Sequence, residues 1–273
     1  MKLASISYYP VKSTAGHEVS EADVLPWGLA GDRRFLIADA GGRTLTARAE
    51  PRLLSIVPLL DGDALTLTGP HAEPLTVTPS PGALSPVTLW GREVELTDCG
   101  DDAAAWLAAL VGRPVRLKWL DDPRRRPVDP GYGRPDDRVS LADGFPLLLT
   151  SAASLARLND WIAEDALERG EEPPAPLPMR RFRPNVVIDG VPSEPFAEEE
   201  WKRLRIGEME FRAVKGCARC VLTTIDTDTY ETGKEPIRTL SRYRKRDGKV
   251  WFGVNIIPDS PGRIAVGDPV TIL

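Results

Sequence analysis

The chain has 273 residues, of which 42% are hydrophobic and 27% are charged, and its formal net charge at pH 7 is −5. This composition is typical of a globular protein with one large or two small domains, and the negative charge argues against nucleic-acid binding as a main role. The sequence shows neither a signal core nor an apolar stretch near the roughly 20 residues that span a bilayer, so we expect a cytoplasmic protein without a membrane segment.

Short strands separated by turn residues dominate the first part of the chain. The 26 prolines and 23 glycines break the sequence into short pieces. Alternating or short apolar runs predict strands at 3–8, 34–38, 53–57, 64–68, 87–90 and 93–96. Gly91-Arg92 lies between the last two runs and predicts a tight hairpin. An Ala- and Leu-rich run from Asp101 to Val111 predicts a helix that ends at Gly112.

The second part begins with an Arg- and Pro-rich segment, 121–138, which is either a flexible linker or an ordered loop over a site. Residues 151–168 predict a second helix, with Ser151 or Ser154 as its N-cap, and 170–178 predict a mobile loop. Further strands are predicted at 185–188, 204–206, 208–212, 221–225 and, in two pieces, 264–273. The composition shift divides the chain into predicted domains 1–120 and 121–273. We expect a mainly β (α+β) fold of two barrel-like or sandwich-like modules with a few flanking helices.

Cysteine chemistry has several possible forms in this sequence. Only three cysteines and two histidines occur, and the cysteines Cys217 and Cys220 are separated by two residues. A structural zinc site needs about four ligands, and a thioredoxin-like pair is expected at a helix start rather than between β-branched runs. A single thiolate ligand for a soft, high-valent metal needs no histidine. The spacing alone leaves a redox pair, inert cysteines and a single metal ligand open.

Several rarer strings, taken in order, resemble a known family over nearly the whole chain. They lie at 9–13, 28–37, 46–53, 182–188, 217–226 and 262–270. Together they resemble the MOSC superfamily, in which an N-terminal β-barrel domain precedes a MOSC domain. Within this superfamily, they resemble the subgroup of the mitochondrial amidoxime-reducing component and its bacterial counterparts.

This resemblance implies a molybdenum cofactor (Mo-molybdopterin) and an enzyme that reduces N-hydroxylated compounds such as amidoximes, hydroxylamines and N-hydroxylated bases. The family's metal ligand corresponds to Cys220, and Arg219 is then close to the cofactor. Cys217 is then a small buried residue near the site and not a ligand. Electrons must come from a separate donor protein, such as a ferredoxin, a flavodoxin or a reductase.

The phosphate of a pterin cofactor needs Lys or Arg together with hydroxyl or backbone donors. Lys12 and Ser13 follow a Pro-Val corner, and Arg33 follows Gly31-Asp32, so the three could converge at strand ends. Arg183 and Asn185 carry fixed-geometry donors suited to the pterin edge or the phosphate. The alternative for the basic residues is pairing with surface carboxylates.

The strand-to-helix junction at Thr150 and Ser151 offers free backbone N–H groups and a positive dipole end, and it is a further predicted part of the cofactor site. Plain N-capping is the alternative role for these residues. Asp226 and Asp228 follow the cysteines and could either relay protons or form a turn. The arginines of 124–126 are expected in a solvated loop, and those of 242–246 could dock an acidic electron donor.

Two other functions remain open on the residues. The chain could carry or store the cofactor without turnover, which predicts metal without reductase activity. It could also transfer sulfur through a persulfide on Cys220, which predicts sulfane sulfur on that residue and no stoichiometric molybdenum.

Overall fold

The computed structural model describes residues 1–190 and 194–273, and strands predominate in that part of the chain. Its three α-helices are α1 (Asp101–Val111), α2 (Ala152–Glu168) and α3 (Ile237–Tyr243). The strands are β1 (Lys2–Tyr8), β2 (His17–Val19), β3 (Glu21–Leu25), β4 (Gly28–Leu29), β5 (Phe35–Asp39), β6 (Thr44–Leu45), β7 (Val57–Asp61), β8 (Ala64–Gly69), β9 (Ala72–Val77), β10 (Leu84–Leu89), β11 (Arg92–Asp98), β12 (Val115–Trp119), β13 (Leu147–Ser151), β14 (Val186–Asp189), β15 (Arg203–Ile206), β16 (Met209–Ala218), β17 (Lys245–Arg246), β18 (Lys249–Pro258), β19 (Gly262–Ala265) and β20 (Val270–Ile272). The expected mainly β fold is confirmed.

The chain divides into two compact units that are discontinuous in sequence. Unit 1 comprises Met1–Ser7, Glu18–Leu29 and Pro146–Leu273, and unit 2 comprises Tyr8–His17 and Ala30–Phe145. The Arg- and Pro-rich segment 121–138 therefore lies inside unit 2. It is an ordered loop there, because Arg126 donates to the carbonyl oxygens of Ser140 and Ala142.

The main sheet of unit 1 has the strand order β2-β1-β14-β13-β18-β16-β15-β20, with β17 paired to β18. Strands β13 and β14 are parallel, as expected for two strands that a helix connects, and α2 is that helix. Leu158 and Ile162 of α2, Leu240 of α3 and Phe252 of β18 are buried in one cluster. This apolar contact fixes both helices against the sheet.

Unit 2 contains a five-stranded sheet, β10-β11-β12-β5-β6, and a three-stranded sheet, β7-β8-β9. The hairpin between β10 and β11 was predicted one residue too late. Leu89 pairs with Arg92, so the turn residues are Trp90 and Gly91, which have φ values of 55° and 75°. Positive φ at both central residues is the geometry of a type I′ turn, where tryptophan is unusual.

Two apolar runs predicted as strands are 3₁₀ turns instead. Residues Pro51–Ser55 form such a turn in place of the start of the strand predicted at 53–57. Val221–Thr224 form another in place of the strand predicted at 221–225. Proline at the start of the first turn favours a helical turn over a ladder, and in both turns some apolar or β-branched side chains are buried without strand pairing.

The two helices predicted from sequence are present with nearly the same limits. α1 ends at Gly112, whose φ of 80° provides the left-handed C-cap. Ser151 is the N-cap of α2, and its Oγ accepts a hydrogen bond from the Ser154 N–H. The seven-residue α3 was not predicted. No helix in the described part of the chain is long and apolar enough to cross a membrane.

Candidate functional site

In unit 2 a backbone pairing brings Lys12 and Arg33 to one place. The Lys12 N–H donates to the Phe35 carbonyl at 2.8 Å, and the Arg33 N–H donates to the Tyr9 carbonyl at 2.7 Å. Ser13, next to Lys12, is also buried. The three residues that the sequence predicted for the cofactor phosphate thus lie on two adjacent backbone segments.

The Lys12 ammonium is buried and has two partners. Only 6% of the residue is exposed. Its Nζ donates to the Leu141 carbonyl at 3.0 Å and to the Asp143 carboxylate. Burial lowers the pKa of Lys12 below its ordinary value, and Asp143 partly offsets this effect. Lys12 thus makes the alternative contact predicted from the sequence, an ion pair with a surface carboxylate, since the Asp143 side chain is 67% exposed.

Arg33 is held between a buried carboxylate and an aromatic ring. Its Nη1 donates to Asp32 Oδ2 at 2.7 Å, and its guanidinium lies 4.4 Å from the centroid of the Tyr9 ring. Asp32 is fully buried and also accepts from the Tyr9 N–H at 2.9 Å. Burial lowers the pKa of Arg33, but the charge of Asp32 outweighs this and leaves that pKa above its usual value. Arg33 is therefore fixed in orientation by buried groups.

In unit 1 the Cys220 side chain is exposed. Cys220 is the N-cap of the Val221–Thr224 turn, and its carbonyl accepts from the Thr223 N–H at 3.1 Å and the Thr223 Oγ1 at 3.0 Å. This turn follows strand β16 closely in the chain, and the Cys220 thiol lies at the surface of unit 1. Cys217 is half-buried rather than buried.

Arg219 joins the cysteine segment to the segment before Arg183. Its Nη1 donates to Cys217 Sγ at 2.9 Å, and its Nη2 donates to the Phe182 carbonyl at 2.6 Å. The guanidinium also lies 5.4 Å from the centroid of the Phe182 ring. Its buried Nε has no hydrogen-bond partner among the described residues.

The 3₁₀ turn Met179–Phe182 connects several of the predicted residues. Thr150 Oγ1 lies 3.3 Å from Met179 Sδ, and the Phe182 carbonyl accepts from Arg219. Arg181 of the same turn, which is 9% exposed, donates to Asp226 Oδ2 at 2.5 Å. One short turn therefore fixes residues before α2 and on both sides of Cys220.

Backbone strain marks three of the predicted residues. Ser13, Arg33 and Arg183 have φ values of 70°, 47° and 54°. Non-glycine residues in the left-handed region are uncommon and cluster at functional sites. The amino-acid sequence alone does not reveal these φ values.

Asn185 and the α2 junction are used within unit 1. The Asn185 amide is 2% exposed, accepts from the Leu148 N–H at 3.1 Å and donates to the Ser7 carbonyl at 3.2 Å. Thr150 and Ser151 are also buried. Near the start of α2, Ser154 Oγ lies 2.7 Å and 2.9 Å from the two carboxyl oxygens of Glu198.

Glu198 is a buried carboxyl group that sequence reasoning missed. It is 1% exposed, and burial raises its pKa to about 7. Its position near the N-terminus of α2 means that a protein carboxyl group already lies where a ligand anion was expected. The signal in the sequence, a run of three glutamates at 198–200, gave no reason to expect burial.

The two Arg-rich stretches are mostly engaged inside their units. Arg244 and Arg246 both donate to Glu199 Oε2 at 2.6 Å, and Arg242 donates to Asp165 Oδ1 at 2.6 Å. Arg244 and Arg246 are therefore already paired with Glu199, and an acidic electron donor would have to share them with this residue.

Asp226 takes the turn-forming alternative. Its Oδ1 accepts from the N–H groups of Asp228 and Thr229 at 2.8 and 2.9 Å. These backbone donors, followed by Arg181, hold the pKa of Asp226 below its usual value. A carboxylate held in this way is ionised and engaged at neutral pH.

Comparison with known proteins agrees with the segments quoted from the sequence. The family described as MOSC N-terminal beta barrel domain matches residues 1–114, and the MOSC domain matches residues 136–271. The chain is 37% identical to mitochondrial amidoxime-reducing component 1 of Homo sapiens, over 99% of this chain and 82% of that protein. The chain belongs to the MOSC family.

Two further relatives of this MOSC chain differ in their coverage. Mitochondrial amidoxime reducing component 2 of Homo sapiens is 31% identical over 98% of this chain and 82% of its own length. Molybdenum cofactor sulfurase of Danio rerio is 34% identical over 94% of this chain, but the match covers only 32% of the sulfurase. The same MOSC region therefore occurs both in proteins of similar length and within a much longer one.

Proposed function

We propose that this MOSC protein is a molybdenum-cofactor-dependent reductase of N-hydroxylated compounds, and that Cys220 is its protein ligand to the metal. The observation that carries the proposal is the exposed Cys220 thiol next to Arg219, a half-buried arginine whose buried Nε–H has no partner among the described residues. Buried polar groups without partners are rare and call for an explanation, which a bound polar group provides. The near full-length similarity to the human amidoxime-reducing component 1 supports the same activity.

The residues present fit such a cofactor in chemical type. Cys220 supplies a soft sulfur ligand, as molybdenum requires. Lys12, Ser13 and Arg33 supply the cation and hydroxyl donors that a phosphate needs. Arg183 and Arg219 supply guanidinium groups for the pterin, while Asn185, Thr150 and Ser151 support the strands and helix on which these groups stand. The ion pair between Lys12 and the Asp143 carboxylate supports a role for this position in binding an anion.

The bound cofactor would supply two-electron reduction of the N–O bond, with release of oxygen as water. In this chain, Arg219 fixes the ligand segment by donating to Cys217 and to Phe182. Arg181 and its partner Asp226 close the turn that follows the ligand. These contacts fix the backbone on either side of Cys220.

Electrons for this reaction are proposed to come from a separate protein, such as a ferredoxin, a flavodoxin or a reductase, and the cell compartment is proposed to be the cytoplasm. The exposed Lys245 offers a test of donor docking that leaves Glu199 paired. Lys245→Gln should slow electron transfer from the natural donor while reduction by a small chemical reductant stays unchanged. Equal rates of electron transfer from the natural donor would indicate that the donor does not dock at the segment 242–246.

The experiment that tests the function measures molybdenum per chain after expression in a cofactor-producing host. We expect near-stoichiometric metal in the wild type and a large loss in Cys220→Ser, with Cys99→Ser, a half-buried cysteine of unit 2, as the matched control. Reduction of an aryl amidoxime with a chemical reductant should follow metal content. Absence of molybdenum from the wild type, in a host that loads a control enzyme, would contradict the proposal.

Sulfur transfer is the second candidate, because the Danio rerio sulfurase contains a region similar to this chain. It requires a persulfide on Cys220. Mass spectrometry of the purified protein separates the two functions, since sulfane sulfur on Cys220 without stoichiometric molybdenum favours the sulfur carrier. Stoichiometric molybdenum without amidoxime reduction would instead indicate a cofactor carrier.

A further inference from the structure

An exposed carboxylate occupies the point in unit 2 where several donors converge. Asp143 accepts from the buried Lys12 ammonium and, at 3.2 Å from its Oδ1, from the indole Nε1 of Trp90. Arg33 adds a nearby positive charge. A single oxygen atom, Asp143 Oδ1, thus receives hydrogen bonds from two side chains on different segments.

The two partners of this ion pair differ sharply in exposure. The Lys12 side chain is 7% exposed, whereas the Asp143 side chain is 67% exposed. Desolvation raises the pKa of Asp143, but the charge of Lys12 outweighs it and holds that pKa well below its usual range. Asp143 is therefore an anion at neutral pH. It can turn into water at small cost, while Lys12 stays buried and needs an anion in its place.

Trp90 is held in a strained conformation that aims its N–H at this point. Its φ of 55° lies in the left-handed region, which costs an L-residue roughly 1–2 kcal/mol. The Arg48 guanidinium lies 4.3 Å from the centroid of the Trp90 ring, and the indole N–H donates to Asp143 Oδ1 at 3.2 Å. Non-glycine residues in such strained conformations cluster at ligand-binding and active sites.

We propose that Asp143 is an exchangeable internal anion: in the free protein it occupies the position that the phosphate dianion of a ligand takes on binding. Lys12 Nζ and the indole N–H of Trp90 then pass from the carboxylate to the phosphate, and Asp143 turns into solvent. This inference rests on the proposed function for the identity of the ligand, a phosphate-bearing cofactor. It adds Trp90 as a binding residue and Asp143 as a competitor of the ligand.

The test measures phosphate binding to the metal-free protein by the NMR signal of the Trp90 indole N–H, at pH 7 and constant ionic strength. The chain has seven tryptophans, and Trp90→Phe identifies the signal of Trp90 by its loss. Inorganic phosphate and phenyl phosphate are titrated separately, with chloride as the compensating anion. The variants are Asp143→Asn and its control Asp136→Asn, which removes the same charge from another exposed carboxylate of unit 2.

We expect phosphate to shift the Trp90 signal in the wild type, and Asp143→Asn to bind phosphate about tenfold more tightly or better, because a like charge close to the ligand is removed. Asp136→Asn should change binding much less. Tighter binding of phenyl phosphate than of inorganic phosphate assigns the position to a phosphate ester, and equal binding assigns it to free phosphate.

Phosphate binding by Asp143→Asn that is no tighter than by Asp136→Asn would overturn the proposal. Should Asp143→Asn be poorly folded, Asp143→Ser removes the same carboxylate with a smaller side chain and answers the same question. Neither molybdenum nor activity enters this measurement. A protein without molybdenum can therefore still show the exchange, and an active molybdenum enzyme can still lack it.

Discussion

Arg219 shows how one side chain can connect two backbone segments of unit 1, one of which carries the proposed ligand Cys220. Its two terminal nitrogens reach Cys217 Sγ and the Phe182 carbonyl, which lie on segments before Cys220 and before Arg183. The planar fork of a guanidinium can make both bonds at once, whereas an ammonium is a point donor. The charge at this position is therefore less important than the shape of the group.

Arg219→Lys is expected to lower molybdenum occupancy about tenfold or more, a cost typical of residues that orient metal ligands. Arg205→Lys, which changes a half-exposed arginine of β15, is the control. Metal analysis at matched expression, together with far-UV circular dichroism, checks the expectation. Full occupancy in Arg219→Lys would show that charge alone suffices.

Glu198 predicts a pH dependence of stability that runs opposite to that of a paired carboxylate. Burial raises its folded-state pKa to about 7, above its ordinary value of 4.5, so the folded state retains a proton that the unfolded state releases. The protonated Glu198 carboxyl contributes fully to the free energy of unfolding below the unfolded-state pKa. This contribution is lost as the pH rises toward about 7. The loss between pH 5 and 8 amounts to about 2 kcal/mol.

Glu198→Gln keeps a neutral amide at this position and should remove that loss. Urea unfolding of the wild type, Glu198→Gln and the exposed control Glu200→Gln at pH 5 and pH 8 measures the difference. Parallel pH dependences in all three proteins would refute the assignment of the effect to Glu198.

At the scale of elements, β18 depends on a glycine to approach β13. Gly253 has a φ of 80°, and a Cβ on it would lie 2.7 Å from the Leu149 carbonyl oxygen and 2.8 Å from Thr150 Cγ2. Gly248 has a φ of 70° but open space where its Cβ would be. The pair separates the cost of backbone conformation from the cost of a clash.

Gly248→Ala should therefore destabilise the protein by roughly 1 kcal/mol, from strain alone. Gly253→Ala should cost more than 2 kcal/mol, roughly, because strand separation or a shift of Thr150 is added to the strain. Urea denaturation of both variants measures the difference. Equal losses would mean that the sheet accommodates the methyl group freely.

Sequence patterns predicted the elements that are determined by residues close to one another in the chain. The limits of α1 and the N-cap Ser151 follow from composition and capping rules. The hairpin turn at Trp90 was predicted one residue too late and the 3₁₀ turn after Cys220 was missed, because tertiary contacts outweigh local preference there. For the site, residue types pointed to Lys12 and Arg33 and the family resemblance to Cys220, but burial of Glu198 and the Asp143 contact depend on the folded chain.

At the scale of the whole molecule, the units interleave along the sequence. Residues 1–7 and 18–29 belong to unit 1 with 146–273, whereas 8–17 belong to unit 2. Strand β1 pairs with β14, and β3 pairs with β19. The predicted boundary between residues 120 and 121 separates β1 and β3 from the strands with which they pair. A fragment that begins at residue 121 would therefore lack β1 and β3.

The fragment 121–273 should consequently show no cooperative unfolding, since β14 and β19 would each lose a partner. Residues 1–29 joined through a flexible Gly/Ser linker to 146–273 should restore a sigmoidal urea transition, because that chain contains all of unit 1. Circular dichroism at matched concentrations compares the two. A cooperative transition in the shorter fragment would contradict the importance of β1 and β3.

The pairing of β1 also constrains the protein during its synthesis. Ser7 bonds with Asn185, which lies 178 residues later in the chain. At roughly 5–20 residues per second, the ribosome needs about 10 to 35 s to supply that partner. Most of unit 2 emerges during this interval, while the first strand has no β14 to pair with. Strand β1 is thus synthesised well before β14 and enters its sheet late, and a chaperone that shields this nascent segment would favour productive folding.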